Sequence, residues 1–147
     1  MSLPIRKIIK LEYFYFIMVQ LIEDKQISKI IEKAKKDEEV LAVALFGSYL
    51  TKKDYNDIDV CLFLDKKYSN LKLSNKKIDY AKEVNENIDV QIFQQLPMYI
   101  RMRILKEGKI IFVKDMPSLY DLAFLTIKEY NLYEKYYENY LSKMKNG

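Results

Sequence analysis

Four short apolar segments alternate with segments of helical periodicity, and this alternation limits the fold more than any other feature of the sequence. The apolar segments span residues 40–46, 58–64, 88–93 and 109–113, which are strand lengths. Strands and helices that alternate along the chain predict an α/β (α+β) fold, here a small mixed β-sheet with helices packed on one side. With 147 residues, half of them apolar, the chain can bury one core without disulfides.

The helical segments are predicted at 24–37, 75–86, 97–106 and 117–145. Asp24 stands where an N-cap would accept from the first turn. The predicted buried faces of the first three helices consist of Ile27, Ile30, Ile31 and Ala34; of Ile78, Ala81 and Val84; and largely of Met98, Ile100, Met102, Ile104 and Leu105. Gly108 follows the third helix as its C-terminal cap.

The last helix carries a continuous stripe at spacings of four and three residues. Its members are Leu119, Ala123, Thr126, Tyr130, Tyr133, Tyr137, Tyr140 and Met144. The stripe predicts a helix packed on its own sheet. The alternative is a surface for a partner or a second copy of the chain, because tyrosines are enriched in interfaces.

The chain contains no histidine, which excludes Ser-His-Asp and Cys-His catalysis and His-rich zinc sites. Any chemistry must therefore use carboxylates. Cys61 lies in an apolar strand and is expected to be a small core residue in a reducing cytoplasm. The 25 basic residues are interleaved with 21 acidic ones, for a formal charge of +4, so a nucleic-acid partner is not favoured.

The N-terminal segment 5–22 is apolar, but Glu12 interrupts it and no small-residue cleavage site follows. It is also short for a membrane span, so no membrane association is expected. The pattern leaves helix and strand both open for this segment. Met18 could be the natural start, which divides the chain into an extension, 1–17, and a domain, 18–147.

Aspartates stand at the beginning of two predicted strands. Because side chains alternate along a strand, Asp57 and Asp59 point to the same face, with Cα atoms roughly 6.6 Å apart. Asp89 begins the next strand in the same way. If the two strands are neighbours, three carboxylates meet and need cations to offset their charge. Oxygen ligands without histidine or thiolate favour Mg²⁺ or Mn²⁺.

Gly47 and Ser48 directly follow the first strand. A glycine there lets the backbone approach a phosphate closely, and the serine adds a hydroxyl and a backbone N–H. The sequence thus pairs a candidate phosphate site with a candidate magnesium site.

The order Gly-Ser, eight residues, Asp-x-Asp and a later strand aspartate resembles the minimal nucleotidyltransferases of the DNA polymerase β superfamily, many of them encoded beside a HEPN-domain partner. The resemblance runs from about Val19 to the C-terminus and implies a nucleotidyltransferase-like fold. It implies that Asp57, Asp59 and Asp89 are catalytic and hold two Mg²⁺ ions together with the nucleotide. It also implies that Gly47, Ser48 and, less directly, Lys52 bind the phosphates.

The implied function is transfer of a nucleoside monophosphate, AMP by family analogy, from an NTP such as ATP to a hydroxyl of a HEPN toxin, as its antitoxin. Family members commonly continue Gly-Ser with a small residue, Arg and Gly, whereas this chain has Tyr49-Leu50-Thr51-Lys52. A lysine replaces only the charge of the bidentate arginine. A catalytically weak module that neutralises its partner by occlusion is therefore the alternative. A polymerase or small-molecule transferase is a third hypothesis, against which the lack of a separate template or substrate domain counts.

Overall fold

The computed structural model of the protein describes residues 25–47 and 58–146. The elements in chain order are α1 (Lys25–Lys36), β1 (Val40–Phe46), β2 (Ile58–Leu64), α2 (Asn70–Ala81), β3 (Ile88–Ile92), a 3-10 turn (Phe93–Gln95), α3 (Met98–Glu107), β4 (Lys109–Val113) and α4 (Met116–Asn146). The predicted N-terminal segment 5–22 and the Asp24 cap lie outside the described residues. No helix in the two described ranges is both long and apolar enough to cross a bilayer.

The four strands form one mixed sheet in the order β3-β2-β1-β4. β1 is antiparallel to β2 and β4, whereas β2 and β3 are parallel. A parallel pair needs a crossover connection, which α2 supplies between β2 and β3. The predicted mixed α/β architecture and all four predicted strands are confirmed, with β3 ending one residue early at Ile92.

The helices cover both faces of the sheet, so the prediction of one-sided packing is wrong. One buried cluster joins α1 and α2 to the face that carries Val43, Leu62 and Val90. A second cluster joins Ile104 of α3 and Leu119 of α4 to the opposite face. The physical reason is visible in β1 and β2, which are buried along almost their whole length because both faces of a central strand are covered.

α2 begins and ends five residues before its predicted position. The Ser69 hydroxyl caps it by accepting from the Lys72 N–H at 3.2 Å. Its buried residues are Leu73 and Tyr80, whereas Ile78 is 55% exposed. The predicted apolar face was wrong because the helix ends before Val84 and buries Leu73 and Tyr80 in place of Ile78 and Ala81.

Tyr80 can be buried because its hydroxyl donates to Asp37 Oδ2 at 3.0 Å. Lys76 also pairs with Asp37, with 2.8 Å between Nζ and Oδ2. Burial alone would raise the pKa of Asp37, but the bonds from Lys76, from the Glu39 N–H and from Tyr80 together hold that pKa below its ordinary value. This network fastens α2 to the start of β1.

The α3 prediction is confirmed in position but not in burial. Ile104 is the buried residue of the helix, while Ile100 and Leu105 pack partly against the core. Met98 and Met102 are also only partly buried. Gly108 ends the helix by donating its N–H to Ile104 O at 2.7 Å.

α4 extends one residue beyond its predicted bounds at each end, but only its first part packs on the domain. Leu119 and Thr126 are buried, whereas every residue from 131 to 146 is exposed. The exposed part of the stripe consists of Tyr133, Tyr137, Tyr140 and Met144. The expectation that the whole stripe packs on its own sheet is therefore wrong for the C-terminal half of the helix.

Candidate active site

The end of β1 and the beginnings of β2 and β3 meet at one edge of the sheet. Asp59 pairs with Phe46 of β1 on one side and with Asp89 of β3 on the other. Backbones paired in this way are about 4.8 Å apart. The sheet topology thus brings two of the three predicted aspartates into register on adjacent strands.

The two carboxylates leave the sheet on the same face. Asp59 shares a face of β2 with Cys61 and Phe63, and Asp89 belongs to the same face as Phe93. The rings of Phe63 and Phe93 stack with centroids 4.4 Å apart, which fixes the common orientation of the two strands further along this face. Asp59 is half-buried and Asp89 is exposed, so the carboxylates stand at the boundary between core and solvent.

Gly47 closes the edge beside Asp59. Its φ is +97°, a left-handed conformation that residues with a side chain rarely adopt. A Cβ at this position would overlap Asp59 Oδ2. The glycine therefore has two functions: it turns the chain after β1, and it leaves room for the carboxylate.

Ser48, Lys52 and Asp57, the other predicted site residues, lie outside the described residues. Within the described part of the chain, no group of three or more His, Cys, Asp or Glu side chains could hold a metal ion. The pair Asp59 and Asp89 nevertheless fits a hard divalent cation in chemistry, because both are oxygen donors on one face and neighbouring strands. Asp57 would add a third oxygen donor next to the start of β2.

Two side chains beyond the predicted set extend this pair: Gln91 contacts Asp89, and Lys77 contacts Gln91. Gln91 Nε2 donates to Asp89 Oδ2 at 2.9 Å, and Lys77 Nζ of α2 donates to Gln91 Oε1 at 3.1 Å. The period of two in Asp89-Val90-Gln91 could have indicated the first contact. The second could not be found from the sequence, because α2 was predicted in the wrong place.

Lys109 begins β4 opposite Leu45, at the same edge of the sheet. It is exposed and places a basic residue two strands away from Asp59. No local pattern in the sequence distinguishes Lys109 from the other lysines.

Cys61 is excluded as a nucleophile. It is a fully buried residue of β2 in the core beneath α3 and α4, and burial raises the pKa of its thiol far above the usual range. Its predicted identity as a core residue is confirmed.

A family model described as "Polymerase beta, Nucleotidyltransferase" matches residues 28–117, more than half of the chain. A Methanocaldococcus jannaschii protein, provisionally named a protein adenylyltransferase, is 35% identical over 77 residues, which are 50% of this chain and 56% of that protein. The match thus spans little more than half the length of that curated relative.

Solved structures share the fold at low sequence identity. A chain of a crystal structure described as a toxin-antitoxin with AMP-PNP aligns with TM-score 0.56 and 18% identity over 78% of this chain and 95% of its own. A chain of the tri-AMPylated Shewanella oneidensis HEPN toxin in complex with MNT antitoxin aligns with TM-score 0.53 and 17% identity over 86% and 96%. At such identities the alignments establish the fold.

Proposed function

The chain belongs to the polymerase β nucleotidyltransferase family, and from this premise we propose that it transfers a nucleoside monophosphate, first of all AMP, from an NTP to a hydroxyl acceptor. The observation that carries the proposal is the pairing of Asp59 with Asp89 beside Gly47. Two carboxylates in register need a cation, and a glycine that turns sharply beside them admits a phosphate.

The proposed site consists of three aspartates and the turn after β1. Asp57, Asp59 and Asp89 hold two divalent cations, Mg²⁺ or Mn²⁺, and Gly47, Ser48 and Lys52 contact the β- and γ-phosphates. When bound, the cations offset the negative charge of the triphosphate and of the pyrophosphate.

In the transfer step the acceptor oxygen forms a bond to the α-phosphorus, and the bond from that phosphorus to the oxygen bridging to the β-phosphorus breaks. Asp89 accepts the proton of the acceptor hydroxyl, which suits its exposed position at the edge of the sheet. Pyrophosphate leaves with the electron pair of the broken bond.

The proposed acceptor is a protein with a HEPN domain, and the chain acts as its antitoxin. Support comes from the provisional name of one relative, a protein adenylyltransferase, and from the description of one structural neighbour as an AMPylated HEPN toxin in complex with MNT antitoxin. The exposed half of α4 offers the contact surface, because its tyrosines have no covering element among the described residues.

The fully buried Cys61 and the absence of a second cysteine suit a reducing cytoplasm. The family match from residue 28 is compatible with the proposed domain, 18–147, after an extension, 1–17.

A second candidate function is neutralisation of the partner by occlusion alone. The exposed aromatic face of α4 favours it, since that face can bind whether or not the site turns over. The departure from the family pattern after Ser48 also favours it, because Lys52 lacks the bidentate geometry of arginine.

One experiment separates the two. The protein is incubated with Mg²⁺ and each labelled NTP, with and without the product of the adjacent gene, and label on that partner is measured. The proposed function predicts label with ATP that is lost in Asp89→Asn. Neutralisation of the partner without label from any NTP would overturn transfer and leave occlusion.

A further inference from the structure

Asp89 is connected to α2 through a single amide. Gln91 lies two residues after Asp89 on β3, so both side chains leave the same face of the strand. Its Nε2 donates to Asp89 Oδ2 at 2.9 Å, and its Oε1 accepts from Lys77 Nζ at 3.1 Å. Both distances are those of ordinary hydrogen bonds.

The chemistry of the end groups determines which way the amide faces. A lysine ammonium has three donors and no acceptor, and an ionised carboxylate has only acceptors. With the amide reversed, Gln91 would place its oxygen against Asp89 and its N–H₂ against Lys77, so both contacts would be repulsive. Lys77 therefore holds Gln91 in the one orientation that donates to Asp89.

The amide also separates two opposite charges. A direct bond from Lys77 to Asp89 would give that carboxylate a full positive neighbour and compete with a divalent cation for it. The neutral Gln91 donor orients the carboxylate while leaving its negative charge for a cation. The hydrogen bond occupies one oxygen, and a carboxylate has a second oxygen to present.

We propose that Gln91 is a positioning residue for Asp89 and that Lys77 fixes the sense of the Gln91 amide. This inference rests on the proposed function, in which Asp89 holds a cation. It goes beyond that function by naming Gln91 on β3 and Lys77 on α2 as residues that support Asp89. In metal sites, hydrogen-bond partners of this kind orient the ligands.

The test measures binding of Mn²⁺ with AMP-PNP to the full chain, from the relaxation of water protons. Gln91→Met and Lys77→Met should each raise the half-saturating concentration about tenfold, the lower end of effects for such supporting residues. Lys77→Arg, which retains donors only, should restore it. Because the two act in series, the double variant should bind no more weakly than Gln91→Met.

Matched controls distinguish this role from a merely structural one. Gln95 also donates to α2, through Ser74 Oγ at 3.1 Å, but makes no contact with Asp89. Gln95→Met should therefore leave binding unchanged, as should Lys82→Met at the exposed end of α2. In the metal-free protein, Lys77→Met but not Lys82→Met should move the NMR signals of the Gln91 side-chain amide.

Asp89→Asn is the reference variant that distinguishes a failure of the positioning role from a failure of the proposed cation site. If it weakens binding while Gln91→Met does not, the positioning role is overturned and the proposed site stands. If Asp89→Asn has no effect either, both are overturned. If Lys77→Arg binds as weakly as Lys77→Met, the proposal that Lys77 fixes the sense of the Gln91 amide is also overturned.

Discussion

Gly47 and Asp59 share a space that only one side chain can occupy. Two features exclude a side chain at position 47: the backbone φ is +97°, and a Cβ would overlap Asp59 Oδ2. From the sequence, Gly47 is predicted to let the backbone approach a phosphate. The structure adds that the glycine also leaves open the space that the Asp59 carboxylate occupies.

Gly47→Ala should therefore abolish most transfer and lower the free energy of unfolding by about 1–3 kcal/mol, the cost of a strained backbone. Transfer of label and urea unfolding are measured on the same preparation. Val40→Ala is the control, because this buried side chain lies opposite Leu64 at the other end of β1 from Gly47. It should lower stability while transfer per folded molecule is retained.

Replacing Asp57, Asp59 or Asp89 by Asn should each lower transfer by orders of magnitude, because the cations lose a ligand that stabilises the transition state. In metal-free buffer the melting temperature should rise or stay level, since repulsion among clustered carboxylates is relieved. Asp121→Asn, an exposed position on α4, should change neither quantity. An Asn variant that loses stability but keeps transfer would identify a structural aspartate.

The strands and the alternation of their side chains could be predicted because a short apolar run in a small sheet has few other options. The positions of Asp59, Cys61 and Phe63 on one face follow directly from the period of two. The mutual arrangement of the strands was not available from local pattern. That Asp59 pairs with Asp89 depends on the order β3-β2-β1-β4, which packing of the whole chain decides.

The errors concern helices, and each has a physical cause. The predicted position of α2 is five residues late because Ile78 suggests an aliphatic face, whereas the fold buries Tyr80 with its hydroxyl bonded to Asp37. The prediction of one-sided packing fails because β1 is buried on both faces, and an apolar run in the sequence does not show how many helical layers cover it. The burial of α4 was overestimated because a regular stripe does not specify what covers it.

Stability should fall in acid through Asp37. Its folded pKa is lower than its ordinary value of 3.8, so the ion pair with Lys76 contributes fully above that value and is lost as pH falls through the folded pKa. Asp37→Asn should cost about 1.5–3 kcal/mol at pH 7, the range for a hydrogen bond to a charged group. Urea unfolding at pH 7, 4, 3 and 2 should show this difference shrinking. A constant difference over that range would contradict the charge as its source.

Divalent metal should bind tightly only when the nucleotide supplies further oxygens, because Mg²⁺ usually rests on few carboxylates plus substrate phosphates. Calorimetry with Mg²⁺ alone should give weak heats, and prior addition of a non-hydrolysable ATP analogue should give a saturable transition. Asp59→Asn should remove that transition. Tight binding of Mg²⁺ without nucleotide, unaltered in Asp57→Asn, would refute the proposed site.

The exposed half of α4 should act in complex formation. Tyr133 and Tyr137 stack one turn apart, with centroids 6.3 Å apart and planes 7° from parallel, and both are more than half exposed. Isolated helical turns in water are marginal, so a partner that covers this face also stabilises the helix.

Tyr133→Ala and Tyr137→Ala should weaken binding to the HEPN-type partner, or self-association if that covers the face. The melting temperature of the free chain should hardly change, since alanine is the better helix former. Tyr99→Ala, equally exposed on α3, serves as the control in titrations of the complex. If the variants instead lower the melting temperature of the free chain and leave the affinity for the partner unchanged, the two tyrosines belong to the core of the free chain.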